Sequence, residues 1–201
     1  KVGAGTLVLT GANTHAGGTR VAGGRLQVSA DGQLGAAAGA LTLEGGATLD
    51  WDAGVVAQTT SRALVVGTGG GTLAVSGTLH ADGTLGGSGT LGKAGAGTLS
   101  LAGDGSAFLG AVRLDGGTLS LGSATALGSS TAVELSAADA TTLAVKTSIG
   151  LGALSGGVAG GAPLGSVVID AGATLSVDGN GTALAAQVSG DGALAKVGAG
   201  T

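Results

Sequence analysis

Cysteine, methionine and tyrosine are absent from this 201-residue sequence, and proline, tryptophan and phenylalanine occur once each. Without cysteine there are no disulfides and no thiolate metal sites. With two aromatic residues in all there is no stacking platform for single-stranded nucleic acid. Charge is equally sparse: 8 Lys plus Arg stand against 12 Asp plus Glu, scattered, for a net charge of -4. No basic stripe exists to neutralise phosphates or to draw the chain onto anionic lipid. No uninterrupted apolar run approaches the roughly 18 to 20 residues of a membrane-spanning helix. The opening KVGAGTLVLT lacks the pattern of a signal peptide, and no targeting motif closes the chain.

What the chain has is glycine and aliphatic residues. It holds 46 Gly, yet 43% of its residues are hydrophobic and the mean hydropathy is +0.53. Disordered glycine-rich linkers have low hydrophobicity, so this apolar content must be buried in a fold. The apolar residues come in pairs at i, i+2: Leu7/Leu9, Leu26/Val28, Leu49/Trp51, Leu73/Val75, Leu99/Leu101, Leu119/Leu121, Leu143/Val145 and Val167/Ile169. Such alternation, bounded by Gly-Gly or Asp-Gly, is the signature of short half-buried strands. Glycine interrupts every candidate helical stripe.

The strands recur within larger repeats. Lys1-Val-Gly-Ala-Gly-Thr6 returns as Lys93-Ala-Gly-Ala-Gly-Thr98 and as Lys196-Val-Gly-Ala-Gly-Thr201. Arg20-Val-Ala-Gly-Gly-Arg-Leu-Gln-Val28 answers Arg113-Leu-Asp-Gly-Gly-Thr-Leu-Ser-Leu121, and Gln33-Leu-Gly35 answers Ala126-Leu-Gly128. The chain therefore divides into internal repeats 1–92 and 93–195, with 196–201 opening a third. Residues 1–201 form a single slice of a longer array.

Many short strands with almost no aromatic filling favour a narrow stacked solenoid over a sandwich or closed barrel. One or two aliphatics per strand point inward and stack on the coil below, and glycine turns the corners. Residues 72–95 repeat Thr-Leu-x-x-x-Gly four times, the arithmetic of a left-handed hexapeptide helix. Elsewhere the spacing is longer and uneven, which predicts an all-β, right-handed parallel β-helix, with the left-handed hexapeptide coil as the alternative. At about 20 residues and 4.8 Å per coil, the rod would be roughly 45 to 50 Å long.

The string from Lys1 to Val28 resembles the autotransporter-associated β-strand repeat, also called the passenger-associated transport repeat, whose usual form is K-x-G-x-G-T-L-x-L-x-G-x-N-x-Y-x-G-G-T-x-V-x-x-G-x-L. His15 replaces the usual aromatic. In the second copy Asp104-Gly105 interrupts the A-N pair and Leu109-Gly110-Ala111 replaces G-G-T. The resemblance implies a right-handed β-helical passenger of a Gram-negative type V secreted protein. Such a passenger is exported through an outer-membrane β-barrel, which lies outside this segment, and is displayed extracellularly at the cell surface.

Reactive groups are few. Asp50 and Asp52 flank Trp51 and share the outer face of a strand, at the spacing of a glycosidase pair. Solvated acids on an exposed strand have the same pattern, and sugar sites also want aromatic platforms and basic groups. His80 sits in the hexapeptide stretch and His15 in a loop, neither with an acid or second histidine at ligand spacing. Gly67-Thr-Gly-Gly-Gly71 and Gly86-Gly-Ser-Gly89 lack the helix and Gly-Lys-Ser/Thr that phosphate loops need, and so read as turns. Asp-Gly at 31–32, 82–83, 178–179 and 191–192 is turn chemistry rather than a calcium repeat. Asn180-Gly-Thr182 is a formal glycosylation sequon, and outward Thr72, Thr78, Thr84 and Thr90 would need register over many more coils to form a hydroxyl ladder than the four units in which the pattern lasts. No residue is assigned to catalysis, cofactor or metal. The sequence reads as a non-enzymatic stalk or passenger segment of a surface adhesin, with cell adhesion, aggregation or biofilm fibre formation as its role. Its partners would be flanking repeats of the same chain, like rods, and unnamed host or bacterial surface ligands; nucleic acid is not among them. The alternative is a carbohydrate-active β-helix enzyme.

Overall fold

A computed structural model describes residues 1–136, 141–156, 165–179 and 183–199. The described residues form a parallel β-solenoid in which the chain visits three faces in turn and returns to the first one coil higher. Face I is an eight-stranded sheet of Thr6–Val8, Arg25–Val28, Ala47–Trp51, Gly71–Val75, Leu91–Ala94, Val112–Leu114, Ala132–Leu135 and Ala153–Gly156. Face II holds seven strands, from Gln58–Thr60 and Thr78–Ala81 up to Gln187–Ser189. Face III comprises Thr19–Val21, Leu41–Leu43, Leu64–Val66 and Leu85–Gly87. It resumes higher up with Ile149–Leu151, Thr174–Val177 and Ala193–Lys196. Every strand pairing is parallel, as a chain that winds one way must make it.

Burial alternates along the strands with period two. Ala47–Trp51, Gly71–Val75 and Gly165–Ile169 each read buried, half-buried, buried, half-buried, buried. The buried members stack across coils: Leu26, Leu49 and Leu73 on face I, and Leu79, Leu99, Leu119, Leu143 and Val167 on face II. Leu99, Leu121 and Trp51 are fully buried, as expected. The core is one continuous column of aliphatics along the solenoid axis. Because each coil contributes only a few inward methyls per face, the core is narrow and large aromatics are not needed to fill it.

Coil length decides between the two solenoid classes. Registered partners lie between 19 residues apart, at Thr6↔Arg25, and 26 apart, at Ile149↔Leu175. Within the hexapeptide-like stretch Thr72 pairs with Gly92 and Thr78 with Thr98. An 18-residue coil would have set Thr72 beneath Thr90. A regular 18-residue hexapeptide coil fails here because one corner per coil carries two extra residues. Eight strands on face I at about 4.8 Å spacing rise about 34 Å, so the rod is somewhat shorter than the sequence suggested. Among the described residues the one helical element is a 3₁₀ turn at Asp31–Leu34, inside the long corner loop between Val28 and Leu41.

Among the described residues seventeen glycines have positive φ and no other residue does. At Gly24 and Gly117 the requirement is double: φ is 64° and 66°, and a methyl group would collide with the carbonyls of Gly3 and Gly5, or of Gly95 and Gly97, in the coil below. These two positions are the second glycines of the two matching Gly-Gly pairs.

Candidate functional site: a lysine clasp at the repeat corners

The strongest polar feature of the solenoid is inside it. Lys93 occupies an inward position between Leu73 and Leu114 in an otherwise leucine column, and none of its surface is exposed. It is placed there because Leu91 and Lys93 form an i, i+2 pair on one strand, so both must face the core. The side chain runs along the column and its ammonium turns into the corner. There Nζ donates to the carbonyls of Ala94 at 3.0 Å, Gly95 at 3.0 Å and Gly116 at 2.9 Å. Three donors meet three acceptors, two in its own corner and one in the Gly-Gly turn of the next coil. Burial brings its pKa down to about 8. The ammonium is still the form present at neutral pH, and the carbonyls supply what water would have supplied.

Lys1 repeats the arrangement. Its Nζ donates to Val2 at 3.0 Å, Gly3 at 2.6 Å and, across to the next coil, Gly23 at 2.8 Å. Gly23 and Gly116 are the first members of the two Gly-Gly pairs, whose second members, Gly24 and Gly117, press against the corner beneath. Lysine and glycine pair thus form one device: the glycines let two corners approach and the lysine binds both. Each charge-assisted bond of this kind contributes about 1.5 to 3 kcal/mol. Lys196 shows the same first two bonds, to Val197 at 2.6 Å and Gly198 at 3.0 Å. The copies sit at different corners. Lys1 lies beneath Val21 on face III, Lys93 lies on face I, and Lys196 is back on face III. The motif closes a corner wherever it falls and does not mark one face for a ligand.

A second buried cation fixes the long corner loop. The Arg62 guanidinium bonds Asp31 through Nε to Oδ1 at 2.7 Å and Nη2 to Oδ2 at 3.0 Å. It also donates to the carbonyls of Gly35 at 2.6 Å and Ala36 at 2.7 Å. Thr60 Oγ1 donates to the same Asp31 carboxylate at 2.7 Å. Asp31, which reads as turn chemistry in the sequence, is therefore the anchor of a loop. Asn13 of the repeat motif holds this loop from below, its Nδ2 donating to the Gln33 carbonyl at 2.7 Å.

The groups that carried chemical interest in the sequence do not converge. Asp50 and Asp52 do lie on the outer face of their strand, but each is engaged with its neighbour in the adjoining coil. Asp50 accepts from Arg25 at 2.7 Å and Asp52 from Ser76 Oγ at 2.7 Å. His80 lies on face II between Thr59 and Ser100, with no acid in register. His15 is exposed and contacts Thr19 Oγ1 at 3.1 Å. Among the described residues no group of three or more His, Asp or Glu could hold a metal ion. Thr72 and Thr78 stand on different faces, so that ladder does not form; a different column, Thr78, Thr98, Thr118, Thr142 and Ser166, runs up face II. Asn180 lies outside the described residues. In the second copy Asp104 accepts from the Ser106 amide at 2.9 Å, which holds its carboxyl below the usual range.

A parallel β-solenoid whose corners are closed by repeated lysines and glycine pairs is a repeat protein in which the motif builds the rod. The passenger-associated-transport-repeat model matches residues 1–28 and 91–121, the two stretches that contain the complete clasps. Over 123 residues, 60% of this chain, the sequence is 38% identical to the adhesin BmaC autotransporter of Brucella suis biovar 1 (strain 1330). The chain spans 4% of the length of that relative. No solved structure matches. Residues 1–28 and 91–121 thus match the passenger-associated transport repeat that the string from Lys1 to Val28 resembles, and the chain is similar to an autotransporter adhesin over part of its length. Hydropathy would never place a lysine in the core. The signal that could have done so is its recurrence two residues after an inward leucine, at Leu91/Lys93 and Leu194/Lys196.

Proposed function

We propose that this chain is a structural stalk segment of a surface-displayed autotransporter adhesin. It sets the reach of a binding region elsewhere in the molecule and offers its faces to like rods in aggregation or biofilm fibres. The observation that carries this reading is the clasp: the repeat's most specific residues, Lys93, Gly116 and Gly117, are spent on holding coil to coil. The internal repeats 1–92 and 93–195, with 196–201 as the start of a third, are on this reading units of length. Display at the cell surface and linkage to an outer-membrane β-barrel follow from the likeness to autotransporter passengers. A carbohydrate-active enzyme is the less favoured reading, because both candidate carboxylates are tied to neighbours in the adjoining coil.

In-frame removal of residues 1–195 from the parent surface protein tests it, because Lys196 resumes on the face that Lys1 occupied and the coils stay in phase. A stalk predicts a shorter rod by electron microscopy with ligand binding retained by the released distal region. Loss of binding with the shortened protein still folded and displayed would assign recognition to this segment and refute the stalk. Release of reducing sugar from surface polysaccharides by the isolated chain, abolished by Asp50→Asn, would establish the enzyme instead.

A further inference from the structure

The solenoid withholds from endoproteases most of the side chains they read. Trp51 and Phe108, its two large aromatics, are buried, as are Lys93 and Arg62. Arg20, Arg25 and Arg113 lie within strands held by parallel neighbours, and the Lys146 amide donates to the Leu121 carbonyl of the coil below. Small aliphatic residues are less protected. Away from the first and last coils, the exposed large apolar residues among those described are Val55, Val56 and Leu109. Leu109 is pinned, its amide donating to the Gly87 carbonyl at 2.9 Å and its neighbour Phe108 sunk in the core. Val55 and Val56 stand at the corner between Ala47–Trp51 and Gln58–Thr60. Six residues, 52–57, cross that corner, where Ser76 and Gly77 suffice in the coil above. The surplus chain from Gly54 to Ala57 is exposed throughout.

We propose that this corner is a cleavage site for an endoprotease whose specificity pocket takes valine, the small pocket of the elastase class, and that the cut leaves the rod assembled. Exposed loop tips are where nicking concentrates, but a protease must also draw several residues out as an extended chain. Upstream the segment is tied at Asp52, whose carboxylate accepts from Ser76 Oγ at 2.7 Å, and at Ala53, which is buried. Downstream the hold is weaker. Gln58–Thr60 is the edge strand at the foot of face II, paired on one side alone, with Thr78–Ala81. Peeling off Gln58 and Thr59 lengthens the free segment while uncovering no apolar side chain of its own, so local opening here costs far less than global unfolding. Hydrolysis then adds water across the Val55–Val56 or Val56–Ala57 amide, hydroxyl to the valine carbonyl carbon and proton to the departing amine. The pieces stay joined because Ala47–Trp51 remains paired with Gly71–Val75 across the break. Arg62 of the second piece also still grips Asp31 of the first.

Limited digestion of the folded chain by elastase, trypsin and chymotrypsin in parallel, read by mass spectrometry, tests the proposal. Elastase should cut within Val55–Ala57, and the two pieces should co-elute in native size-exclusion chromatography and separate in denaturant. Trypsin and chymotrypsin serve as folding controls, since global unfolding would offer them Arg62, Lys93, Trp51 and Phe108. Internal cuts by either should be at least about tenfold slower than the elastase cut. Val55→Asp together with Val56→Asp, at two solvent-facing positions, should leave the unfolding midpoint unchanged and slow the cut at least about tenfold, because a carboxylate does not enter a small apolar pocket. Four results overturn the proposal: elastase cutting elsewhere while residues 55–57 stay whole, the other two proteases cutting at the elastase rate, an unslowed double variant, or pieces that part in native buffer. None of these readouts involves adhesion, so failure of the stalk reading would be seen separately, in the binding assay above.

Discussion

Replacing Lys93 by methionine keeps the volume and apolar stem of the side chain and removes only its ammonium. In many buried ion pairs such a swap is harmless, since both partners can be replaced by apolar groups. Here the partners are the main-chain carbonyls of Ala94, Gly95 and Gly116, which no substitution can remove. Leaving them facing a thioether costs about 1 to 3 kcal/mol each. Against this stands the relief of burying no charge. A pKa lowered from 10.5 to about 8 is a difference of about 2.5 units, or roughly 3 kcal/mol, by which the folded state disfavours the ammonium at neutral pH. The net expectation is a loss of about 3 kcal/mol at pH 7, a fall in Tm of about 6 to 12 °C for a chain of this size. The sign of the pH dependence is fixed by the direction of the shift. Between about 8 and 10.5 the unfolded state binds the proton that the folded state has released, so wild-type stability rises with pH through that window. The methionine variant lacks this rise, and the gap between the two proteins should widen by up to about 3 kcal/mol from pH 7 to pH 10.5. Urea unfolding followed by circular dichroism at several pH values measures both quantities. A variant as stable as wild type at pH 7, with the same pH profile, would refute the clasp.

Other perturbations follow from the same packing. Leu99→Asp puts an unpaired carboxylate in the face II column and should cost more than about 4 kcal/mol in chemical unfolding. Asp50→Ala, which removes a solvent-exposed pair with Arg25, should cost less than about 1 kcal/mol. Arg62→Met removes the guanidinium donors to Asp31 and to the Gly35 and Ala36 carbonyls at once, leaving Asp31 only its bond from Thr60 and Ala36 its bond from the Gly39 amide. It should lower stability by about 3 to 5 kcal/mol and open residues 31–40 to limited proteolysis, while the strands on either side stay protected from hydrogen exchange. Gly117→Ala forces a methyl onto the corner beneath at positive φ and should cost more than about 2 kcal/mol. Gly86→Ala, where nothing lies within 4 Å and φ is ordinary, should be neutral or stabilising by up to about 1 kcal/mol.

The fold was largely legible because its two periodicities are written openly. Inward pairs such as Leu49/Trp51 and Leu99/Leu101 show the strand alternation, and the glycine-bounded intervals show the coils. The exact coil length was not legible. Thr72 to Thr90 reads as a clean 18-residue turn, and nothing local to those residues shows that Thr72 lies under Gly92 instead. Register is set by contacts between coils, here by Gly70 and Gly92 packing against Thr90 and Thr72. The candidate site was less legible. Lysine is so strongly a surface residue that its place in the Leu73–Lys93–Leu114 column has to be inferred from repetition, and Arg62 belongs to none of the short motifs that recur between the two repeats. The acids and histidines that drew attention did so by side-chain type alone, which carries no information about convergence.

The most direct test of the account is the proton nuclear magnetic resonance of the Lys93 ammonium in nitrogen-15-labelled protein. An ammonium sealed between Leu73 and Leu114 and bonded to three carbonyls should exchange slowly with water, show contacts to the methyls of both leucines, and titrate near pH 8. A signal lost to fast exchange, with no leucine contacts and an ordinary lysine titration, would place Lys93 in solvent and contradict the view that the repeat's lysine and glycine pair hold coil to coil.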